Sequence, residues 1–291
     1  MKLLIFGATG QIGRALGEAA QARGWETFGP SHADADICDA PAVADTVRRF
    51  TPDALVNAAG YTAVDEAESE LDAAFGANRE GARILAEAAA QAHVPLIHLS
   101  TDFVFDGLAT KPYTEAEAVG PQGVYAQSKE AGERSVRTAA PRHVILRTAW
   151  IYSPFGTNFL RTMLGLASEQ TELSVIADQT GNPTSAAEVA DALTTILTAV
   201  RERGFHAWGT YHCAGADAVS RYDFAKAIFE QAARFGVAAP KLIPVATTDC
   251  PRPAPRPAYS VLCTAKLERI FGIRPRPLRD SLRPCLTRLL G

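Results

Sequence analysis

The segment that most restricts the fold of this chain is LLIFGATGQIG, at residues 3–13. An apolar run typical of a buried strand leads directly into three glycines, and a helical pattern follows. In such a turn, glycines permit a sharp bend, close approach of backbone amides to a pyrophosphate, and tight packing of helix on strand. The segment therefore predicts a dinucleotide site, although a simple strand-to-helix turn has the same pattern. The residues of this site are Gly7, Gly10, Gln11, Ile12 and Gly13.

Short apolar runs alternate with alanine-rich helical stretches through the first two-thirds of the chain. This alternation is typical of βαβ crossovers and of a parallel sheet covered on both faces. We predict an α/β fold, with a Rossmann-like doubly wound parallel sheet and a smaller C-terminal substrate-binding lobe. The predicted strands are Lys2–Phe6, Glu26–Phe28, Ala54–Ala58, Leu96–Ser100, Val144–Thr148 and Ser174–Ile176. The predicted helices are Ile12–Arg23, Ala40–Phe50, Ser69–Ala92 and Tyr125–Ala139.

The pattern loosens after about Trp150, but no linker rich in Gly or Ser and no internal repeat separates the two parts. We assign residues 1–150 to an NAD(P)-binding domain. Residues 151–291 form mainly the substrate-binding lobe, with some segments returning to the Rossmann sheet. The later features are a turn at 181–183, helices near Ala186–Arg203 and Arg221–Phe235, and a proline-rich stretch at 251–257.

Composition excludes several classes of protein. The 291 residues are 47% hydrophobic and 21% charged, with a formal net charge of -3, which excludes disorder and collagen. No apolar run approaches the roughly 20 residues that cross a bilayer, and the first residues do not form a signal peptide, so we expect a cytoplasmic protein without a membrane partner. Five cysteines without a CxxC pair predict neither a zinc site nor a disulfide framework.

The C-terminal stretch from residue 250 carries nine Lys and Arg side chains but only two acids. Seven prolines interrupt it, and no recognition-helix pattern accompanies the charge, so we expect no nucleic-acid partner. The asymmetry suits a small anionic substrate. Arg256 is the predicted phosphate-binding cation because its planar fork of donors matches phosphate, although a solvated surface arginine is equally compatible with the sequence.

The residues after the second predicted strand bear on the choice of cofactor. An NAD site usually places an acid there, about 20 residues beyond the glycine loop, to bind the ribose 2′-hydroxyl. Residues 28–32 contain no acid, so a 2′-phosphate would not be repelled, and Ser31, His32 or Arg14 could bind it. We therefore predict NADPH as the cofactor, with NADH also accepted.

Asp36-Ile37-Cys38-Asp39 comes next and predicts contacts between the adenine and Asp36 and Ile37. Asp39 is equally suited to capping the helix that follows, because Pro41 stands in the first turn of that helix.

Tyr125 and Lys129 are four residues apart on one face of a predicted helix. Thr101 ends an earlier strand, at the sheet edge that opens onto the ligand crevice. Delivery of hydride to a ketone leaves negative charge on oxygen, which requires a proton donor and hydrogen-bond donors. We expect Tyr125 to donate the proton and Lys129 to lower the phenol pKa from about 10. Thr101 would hydrogen-bond the alkoxide, or simply cap the next turn.

Four motifs in order carry a resemblance to the extended short-chain dehydrogenase/reductase family: Thr9 to Gly13, Asn57-Ala58-Ala59-Gly60, Ser100-Thr101, and Tyr125 with Lys129. Within that family the chain resembles the dTDP-4-dehydrorhamnose reductases over nearly its whole length. The segments that carry this narrower resemblance are residues 56–68, 98–107, 124–133, 146–153, 158–159, 178–184 and 256–262.

The resemblance implies reduction of the C4 ketone of dTDP-4-dehydro-6-deoxy-L-mannose to dTDP-L-rhamnose, so the partner would be a dTDP-linked 4-keto-6-deoxyhexose. It implies substrate contacts from Thr101, Asp102 and Trp150. The cofactor contacts that it implies are Gly10, Gln11, Ile12, Asp36, Ile37, Ala58, Ala59, Gly60, Tyr61, Thr62, Leu99, Tyr125 and Lys129.

Two further residues are substrate candidates by their own chemistry. Trp150 follows the fifth predicted strand, and its indole offers a stacking face and an N–H donor for a sugar, although a core tryptophan fits as well. Asn158 precedes an apolar-periodic helix, where its side chain would either face the substrate diphosphate or cap the helix.

Two other functions remain open. A non-catalytic NAD(P)-binding regulatory subunit is disfavoured by the intact Thr101, Tyr125 and Lys129. A nucleotide-sugar epimerase or dehydratase is disfavoured because dehydratases commonly carry Asp-Glu after the strand-end threonine, whereas Phe103 stands at the second position here.

Some reductases of the resembled family bind Mg²⁺ at a dimer contact through glutamates, one of them in the helix after the glycine loop. Ala15 stands at that place in this chain. Since Mg²⁺ requires oxygen ligands in near-octahedral geometry, we predict no metal site and expect a monomer or a metal-independent homodimer.

Overall fold

A six-stranded parallel sheet forms the centre of the molecule. The computed structural model describes residues 1–202 and 204–291. Its strands are β1 (Lys2–Phe6), β2 (Glu26–Phe28), β3 (Ala54–Asn57), β4 (Leu96–Thr101), β5 (His143–Thr148), β6 (Ile151–Tyr152), β7 (Glu172–Ile176), β8 (Thr180–Gly181), β9 (Thr184–Ser185), β10 (Gly209–His212), β11 (Val219–Ser220) and β12 (Lys241–Val245). The central sheet has the order β10-β5-β4-β3-β1-β2, and every neighbouring pair in it is parallel.

Helices cover both faces of this sheet. They are α1 (Gln11–Gln21), α2 (Ala40–Phe50), α3 (Leu71–Phe75), α4 (Ala82–Gln91), α5 (Gly123–Ala139), α6 (Phe159–Ala167), α7 (Ala186–Ala199), α8 (Arg221–Ala232), α9 (Ala265–Phe271) and α10 (Leu278–Leu290). A π-helical segment, Gly76–Gly81, joins α3 to α4. Within the described residues, no helix combines the length and the apolar character required to span a membrane.

The core explains why the central strands are continuous apolar runs. Leu3 and Ile5 of β1 face one cluster, which includes residues of α1 and α7. Leu4 and Phe6 face the opposite cluster, which includes residues of α2 and α4. Because both faces of the sheet are buried, polar alternation is absent from these strands. The predicted doubly wound α/β fold is confirmed, and α7 and β10, both beyond residue 150, take part in it.

The predicted strand at Ser174–Ile176 does not belong to the central sheet. It forms part of β7, which pairs in parallel with β12 in a separate two-stranded sheet. Leu173 and Val175 are buried in a third cluster with α6, α8 and α10, whereas Glu172 and Ser174 are exposed, so β7 has one covered face. The sixth strand of the central sheet is β10 instead.

Two predicted helices also differ from the structure. The single helix expected over Ser69–Ala92 is divided into α3, the π-helical segment and α4. The helix expected over Ala186–Arg203 ends at Ala199, and Arg203 lies outside the described residues.

Candidate active site

The glycine loop brings the end of β1 into close contact with the end of β3. Gly7 has φ +82°, and a Cβ added to it would lie 2.4 Å from the carbonyl carbon of Ala58. A Cβ on Gly13 would lie 2.1 Å from the carbonyl oxygen of Gly7. Only glycine fits either position. Helix α1 begins directly after Gly10, which has no side chain to cap it, and within residues 1–202 and 204–291 no side chain accepts a hydrogen bond from its first-turn amides. This backbone therefore fits the diphosphate of a dinucleotide.

The predicted nicotinamide loop after β3, residues 58–62, is held by a buried asparagine. The N–H of Tyr61 donates to Asn78 Oδ1 (2.9 Å), and Asn78 Nδ2 donates to the carbonyl oxygen of Tyr61 (3.0 Å) and to Ser128 Oγ (2.9 Å). Ser128 lies in α5 between Tyr125 and Lys129. Asn78 thus joins the loop to the helix of the predicted catalytic pair.

Sequence reasoning missed Asn78, which lies 17 residues from Tyr61 and 50 from Ser128. No local motif marks such a contact. The π-helical segment that contains Asn78 is the structural signal, because π-bulges are frequent at functional sites.

The region after β2 contains an acidic residue, Asp34, two positions beyond the acid-free segment 28–32. Asp34 Oδ2 accepts hydrogen bonds from the Ser31 hydroxyl (2.6 Å) and from the Ser31 N–H (3.1 Å). These hydrogen bonds lower the pKa of Asp34. The donors that we expected Ser31 to offer to a 2′-phosphate are therefore occupied by a carboxylate.

The predicted adenine segment follows directly. Asp36 is half-buried and accepts the N–H of Cys38 (2.9 Å), and Ile37 is buried beside Gly81. Asp39 caps α2 by accepting the N–H of Ala42 (3.1 Å), which is the capping alternative for this residue.

Tyr125 lies in the first turn of α5, beside the end of β4. Burial raises the pKa of Tyr125 to about 12; the neighbouring Asp102 charge acts in the same direction, and the Thr101 side chain opposes it by hydrogen bonding. We expected Lys129 to lower this pKa, but Lys129 is not among the groups that shift it, and burial raises it. A phenol with a raised pKa keeps its proton at neutral pH, which suits a proton donor.

Lys129 lies one helical turn beyond Tyr125 and is buried. Its Nζ donates to the carbonyl oxygen of Leu99 (2.7 Å). Burial lowers the pKa of Lys129 to about 8, although the charge of Glu133 opposes this shift. A Cβ on Gly60 would lie 3.9 Å from Nζ, so the ammonium group lies beside the predicted nicotinamide loop.

Thr101 takes the capping role considered for it. Its hydroxyl accepts the N–H of Phe103 (3.2 Å) and so caps the following turn, and it donates to Asp102 Oδ1 (3.0 Å). Asp102 is 2% exposed. Burial raises its pKa to about 6. Hydrogen bonds from Ser260 and Thr101 and the charge of Arg221 act in the opposite direction, but their effect is smaller. Among the described residues, Asp102 Oδ2 has no hydrogen-bond partner.

Trp150 has the left-handed backbone angle φ +47°, which is unusual for a bulky residue and typical of strained positions at functional sites. A Cβ on Gly181 would lie 2.5 Å from the indole, so the ring packs against the Gly181 backbone. The guanidinium carbon of Arg221 lies 3.5 Å from the centroid of the Trp150 ring.

Arg221 is the cation that sequence reasoning missed. Burial lowers its pKa to about 10, opposed by the charge of Asp102. In the described parts of the chain, no carboxylate forms an ion pair with it. The sequence pattern predicts only the start of a helix at this position. Folding places Arg221 beside Trp150 and near Asp102.

Arg256 is committed to a carboxylate instead of being free for phosphate. Its Nη1 and Nη2 donate to Asp65 Oδ1 (2.6 Å) and Oδ2 (3.0 Å), and Nη1 also donates to the carbonyl oxygen of Ala254 (2.7 Å). Although burial opposes the change, the hydrogen bond from Arg256 lowers the pKa of Asp65. Asp65 lies 191 residues away in sequence, so no local pattern marks this pairing, and phosphate binding by Arg256 stays a prediction.

Asn158 caps helix α6, which is one of the two roles considered for it. Its Oδ1 accepts the N–H of Arg161 (3.2 Å) at the start of α6. Its Nδ2 donates to Gln11 Oε1 (2.9 Å) and to the carbonyl oxygen of Ser153 (3.0 Å). Since both amide hydrogens have acceptors within the protein, we no longer expect a diphosphate contact from this side chain. Asn158 instead ties α6 to the glycine loop.

The remaining predictions from sequence concern metal ligands and cysteines. Over residues 1–202 and 204–291, no three His, Cys, Asp or Glu side chains gather as a metal site would require. Ala15 is 7% exposed and packs in the core cluster of α1 and α7. The five cysteines are free thiols.

Comparison with known proteins gives consistent relatives over the whole chain. The family described as "RmlD substrate binding domain" matches residues 1–290. A dTDP-4-dehydrorhamnose reductase from Sinorhizobium fredii is 43% identical, covering 100% of this chain and 98% of the relative. The crystal structure of a dTDP-4-dehydrorhamnose reductase from Clostridium acetobutylicum is 36% identical, with a TM-score of 0.93 over 100% of both chains.

A second solved structure, the dTDP-4-dehydrorhamnose reductase of Bacillus anthracis in complex with NADP, is 31% identical, with a TM-score of 0.91 over 99% of each chain. With a family match from end to end and full-length relatives well above 30% identity, this chain belongs to the dTDP-4-dehydrorhamnose reductase family.

Proposed function

We propose that this chain catalyses the NADPH-dependent reduction of the C4 ketone of dTDP-4-dehydro-6-deoxy-L-mannose to dTDP-L-rhamnose. The observation that carries the proposal is the cluster of Thr101, Asp102, Tyr125 and Lys129, in which a protonated phenol, a hydroxyl, a buried carboxylate and an ammonium group surround the carboxyl end of β4. The names of the full-length relatives supply the substrate.

The cofactor site is assigned to the edge formed by β1, β2 and β3. The amides of Gln11 and Ile12 would bind the diphosphate, Asp36 and Ile37 the adenine, and residues 58–62 with Leu99 the nicotinamide half. NADPH, when bound, supplies the hydride that is delivered to C4. The relative from Bacillus anthracis, which was crystallised with NADP, supports this choice.

The proton reaches the carbonyl oxygen from Tyr125. As C4 becomes tetrahedral, its oxygen takes the phenolic proton, and the hydroxyl of Thr101 turns from Asp102 to donate a hydrogen bond to the developing oxyanion. The positive charge of Lys129 stabilises the tyrosinate that remains, until solvent returns a proton to it. One hydride and one proton thus convert the ketone to a secondary alcohol.

The substrate contacts are assigned to the surface formed by β4, Trp150 and α8. Arg221 offers a planar fork of donors without a carboxylate partner in the described chain, so it replaces Arg256 as the cation for the diphosphate. The free Oδ2 of Asp102 accepts a hydrogen bond from a hydroxyl of the deoxysugar. Trp150 orients Arg221 by cation–π contact and borders the sugar.

The test is turnover on the proposed substrate, formed in situ from its epimerisation precursor because the ketosugar is unstable. Loss of NADPH absorbance should match formation of dTDP-L-rhamnose one to one, identified by mass spectrometry and NMR. Tight NADPH binding without turnover of this or any related ketosugar would favour the non-catalytic subunit. Release of a C4 epimer without net oxidation of NADPH would favour the epimerase.

Location and assembly are the remaining parts of the proposal. We place the protein in the cytoplasm, where its nucleotide substrates occur, and propose a monomer or a metal-independent homodimer. Sedimentation with and without EDTA tests the assembly, and a dimer that dissociates on chelation would contradict it.

A further inference from the structure

The segment at Asp65–Glu68 contacts two parts of the molecule that are distant in sequence. Asp65 accepts two hydrogen bonds from Arg256 and one from the N–H of Ala254 (3.2 Å), so it anchors the proline-rich stretch of the C-terminal segment. The 3-10 turn that comes next, Glu66–Glu68, contacts α5. None of the roles assigned above uses this turn.

Helix α5 depends on Glu68 for the cap of its first turn. The side chain of Gln122, at the N-cap position, makes no capping hydrogen bond. The N–H of Val124 donates instead to Glu68 Oε1 (2.8 Å). The first amides of a helix have no partner within the helix, and a carboxylate at this end is also favoured by the helix dipole.

The packing around this cap leaves little freedom. Gly123 has φ +76°, and a Cβ added to it would lie 2.7 Å from Glu68 Oε1 and 3.0 Å from Pro255 Cδ. The carboxylate, the start of α5 and the C-terminal segment are therefore in mutual contact. Tyr125 is the residue directly after the capped Val124.

We propose that Glu68 is a positioning residue for Tyr125. Its carboxylate fixes the first turn of α5, while Asp65 in the same segment fixes the chain that leads to Ser260, beside Asp102. One short segment thereby sets the position of the proton donor relative to the carboxylate that contacts the sugar. The catalytic consequence rests on the function proposed above.

The kinetic test compares E68A and E68Q with E66A as the matched control. Glu66 belongs to the same turn and is exposed, and no partner of its side chain occurs in the described residues. Because small misplacements of a catalytic group are costly, E68A should lower kcat about 10- to 100-fold. The Kd for NADPH should stay within about twofold, since the amides of the glycine loop are untouched. E68Q keeps an acceptor oxygen and should retain most of kcat, as should E66A.

Two readouts separate positioning from loss of folded enzyme. With hydride-deuterated NADPH, E68A should show a larger isotope effect on kcat, whereas a smaller active fraction leaves the isotope effect unchanged. Hydrogen exchange without substrate should be faster at the start of α5 in E68A and unchanged in E66A. If E68A does not fold, E68D, which keeps the charge but is one methylene shorter, should give the same kinetic and exchange changes.

The proposal is overturned if E68A matches E66A in kcat and in exchange at the start of α5, or if E68Q loses as much activity as E68A. If the wild-type protein does not reduce the ketosugar at all, the proposed function fails. The exchange measurement still decides whether Glu68 fixes the helix start.

Discussion

The half of the chain that we propose to bind the nucleotide and the lobe that we propose to bind the substrate are built by different kinds of contact. In the first, residues 7–13 and 57–62 form their sites mainly through backbone conformation, which glycines and short-range hydrogen bonds specify, and Ala58 and Asn78 add contacts from farther along the chain. In the second, the decisive contacts join Arg256 to Asp65 across 191 residues, and Asn158 to Gln11 across 147. Backbone motifs can therefore be recognised in a sequence, whereas the partner of a charged side chain is decided by folding.

Replacement of Tyr125 by Phe gives the largest effect and separates chemistry from cofactor binding. Loss of the proton donor should lower kcat by about 10²–10⁴-fold, as is typical of general-acid loss. NADPH affinity should change little, because the nucleotide half binds mainly through backbone groups. Steady-state kinetics and a fluorescence titration with NADPH measure the two quantities. Near-normal turnover of Y125F would exclude Tyr125 as the donor.

Substitutions of Arg221 and Arg256 test whether the partner of a charged side chain in the substrate lobe is decided by folding. Hydrogen bonds to charged groups contribute about 1.5–3 kcal/mol, so R221Q should raise KM for the nucleotide sugar by about 10- to 100-fold. R256Q should raise KM by less than about fivefold and lower the thermal midpoint instead, since it removes a partly exposed ion pair. KM values and melting curves of both variants decide this. An equal rise of KM in R256Q would restore the phosphate role expected from sequence.

The central fold could be predicted because its signals are local. The strand at Lys2–Phe6 and the helix at Ala40–Phe50 have the predicted bounds, since apolar runs and capping residues mark them. The strand near residue 174 was assigned to the wrong sheet because its partner, β12, begins at Lys241. In the same way, Thr101, Tyr125 and Lys129 follow from motifs, whereas Arg221 and Asn78 become visible only when distant elements meet.

The pH dependence of kcat/KM sharpens the role of the buried charges. The pKa of Asp102 is raised to about 6, so its carboxylate is lost below that pH, and the pKa of Lys129 is lowered to about 8, so its cation is lost above that pH. We expect a bell-shaped profile with limbs near these values, each falling about tenfold per pH unit, because kcat/KM reports the free enzyme. D102N should remove the acidic limb. A flat profile from about pH 5 to about pH 9 would contradict both assignments.

A substitution of Asp34 tests whether an acidic side chain near Ser31 affects the binding of a 2′-phosphate. Its carboxylate occupies the hydroxyl and N–H of Ser31, so it should oppose a 2′-phosphate bound nearby. Because removal of a nearby negative charge favours a bound 2′-phosphate, D34N should raise the ratio of kcat/KM for NADPH over NADH by about twofold to fivefold. D45N, at an exposed position on α2, is the control. An unchanged ratio in D34N would place the 2′-phosphate elsewhere.

Removal of metal ions with EDTA should have the smallest effect on activity. This treatment tests the contact between α1, in the first region, and α7, which lies beyond residue 150. Ala15 of α1 is buried against α7, so this helix offers no carboxylate at the position where the family resemblance would place a Mg²⁺ ligand. In the proposed mechanism, Tyr125, Thr101 and Lys129 supply the proton and stabilise the oxyanion without a Lewis acid. Activity after exhaustive EDTA treatment should therefore stay within about twofold of the untreated enzyme. If EDTA abolished activity and Mg²⁺ specifically restored it, the enzyme would require a metal ion. Its ligands would then have to come from more than one subunit, through contacts that a single chain does not contain.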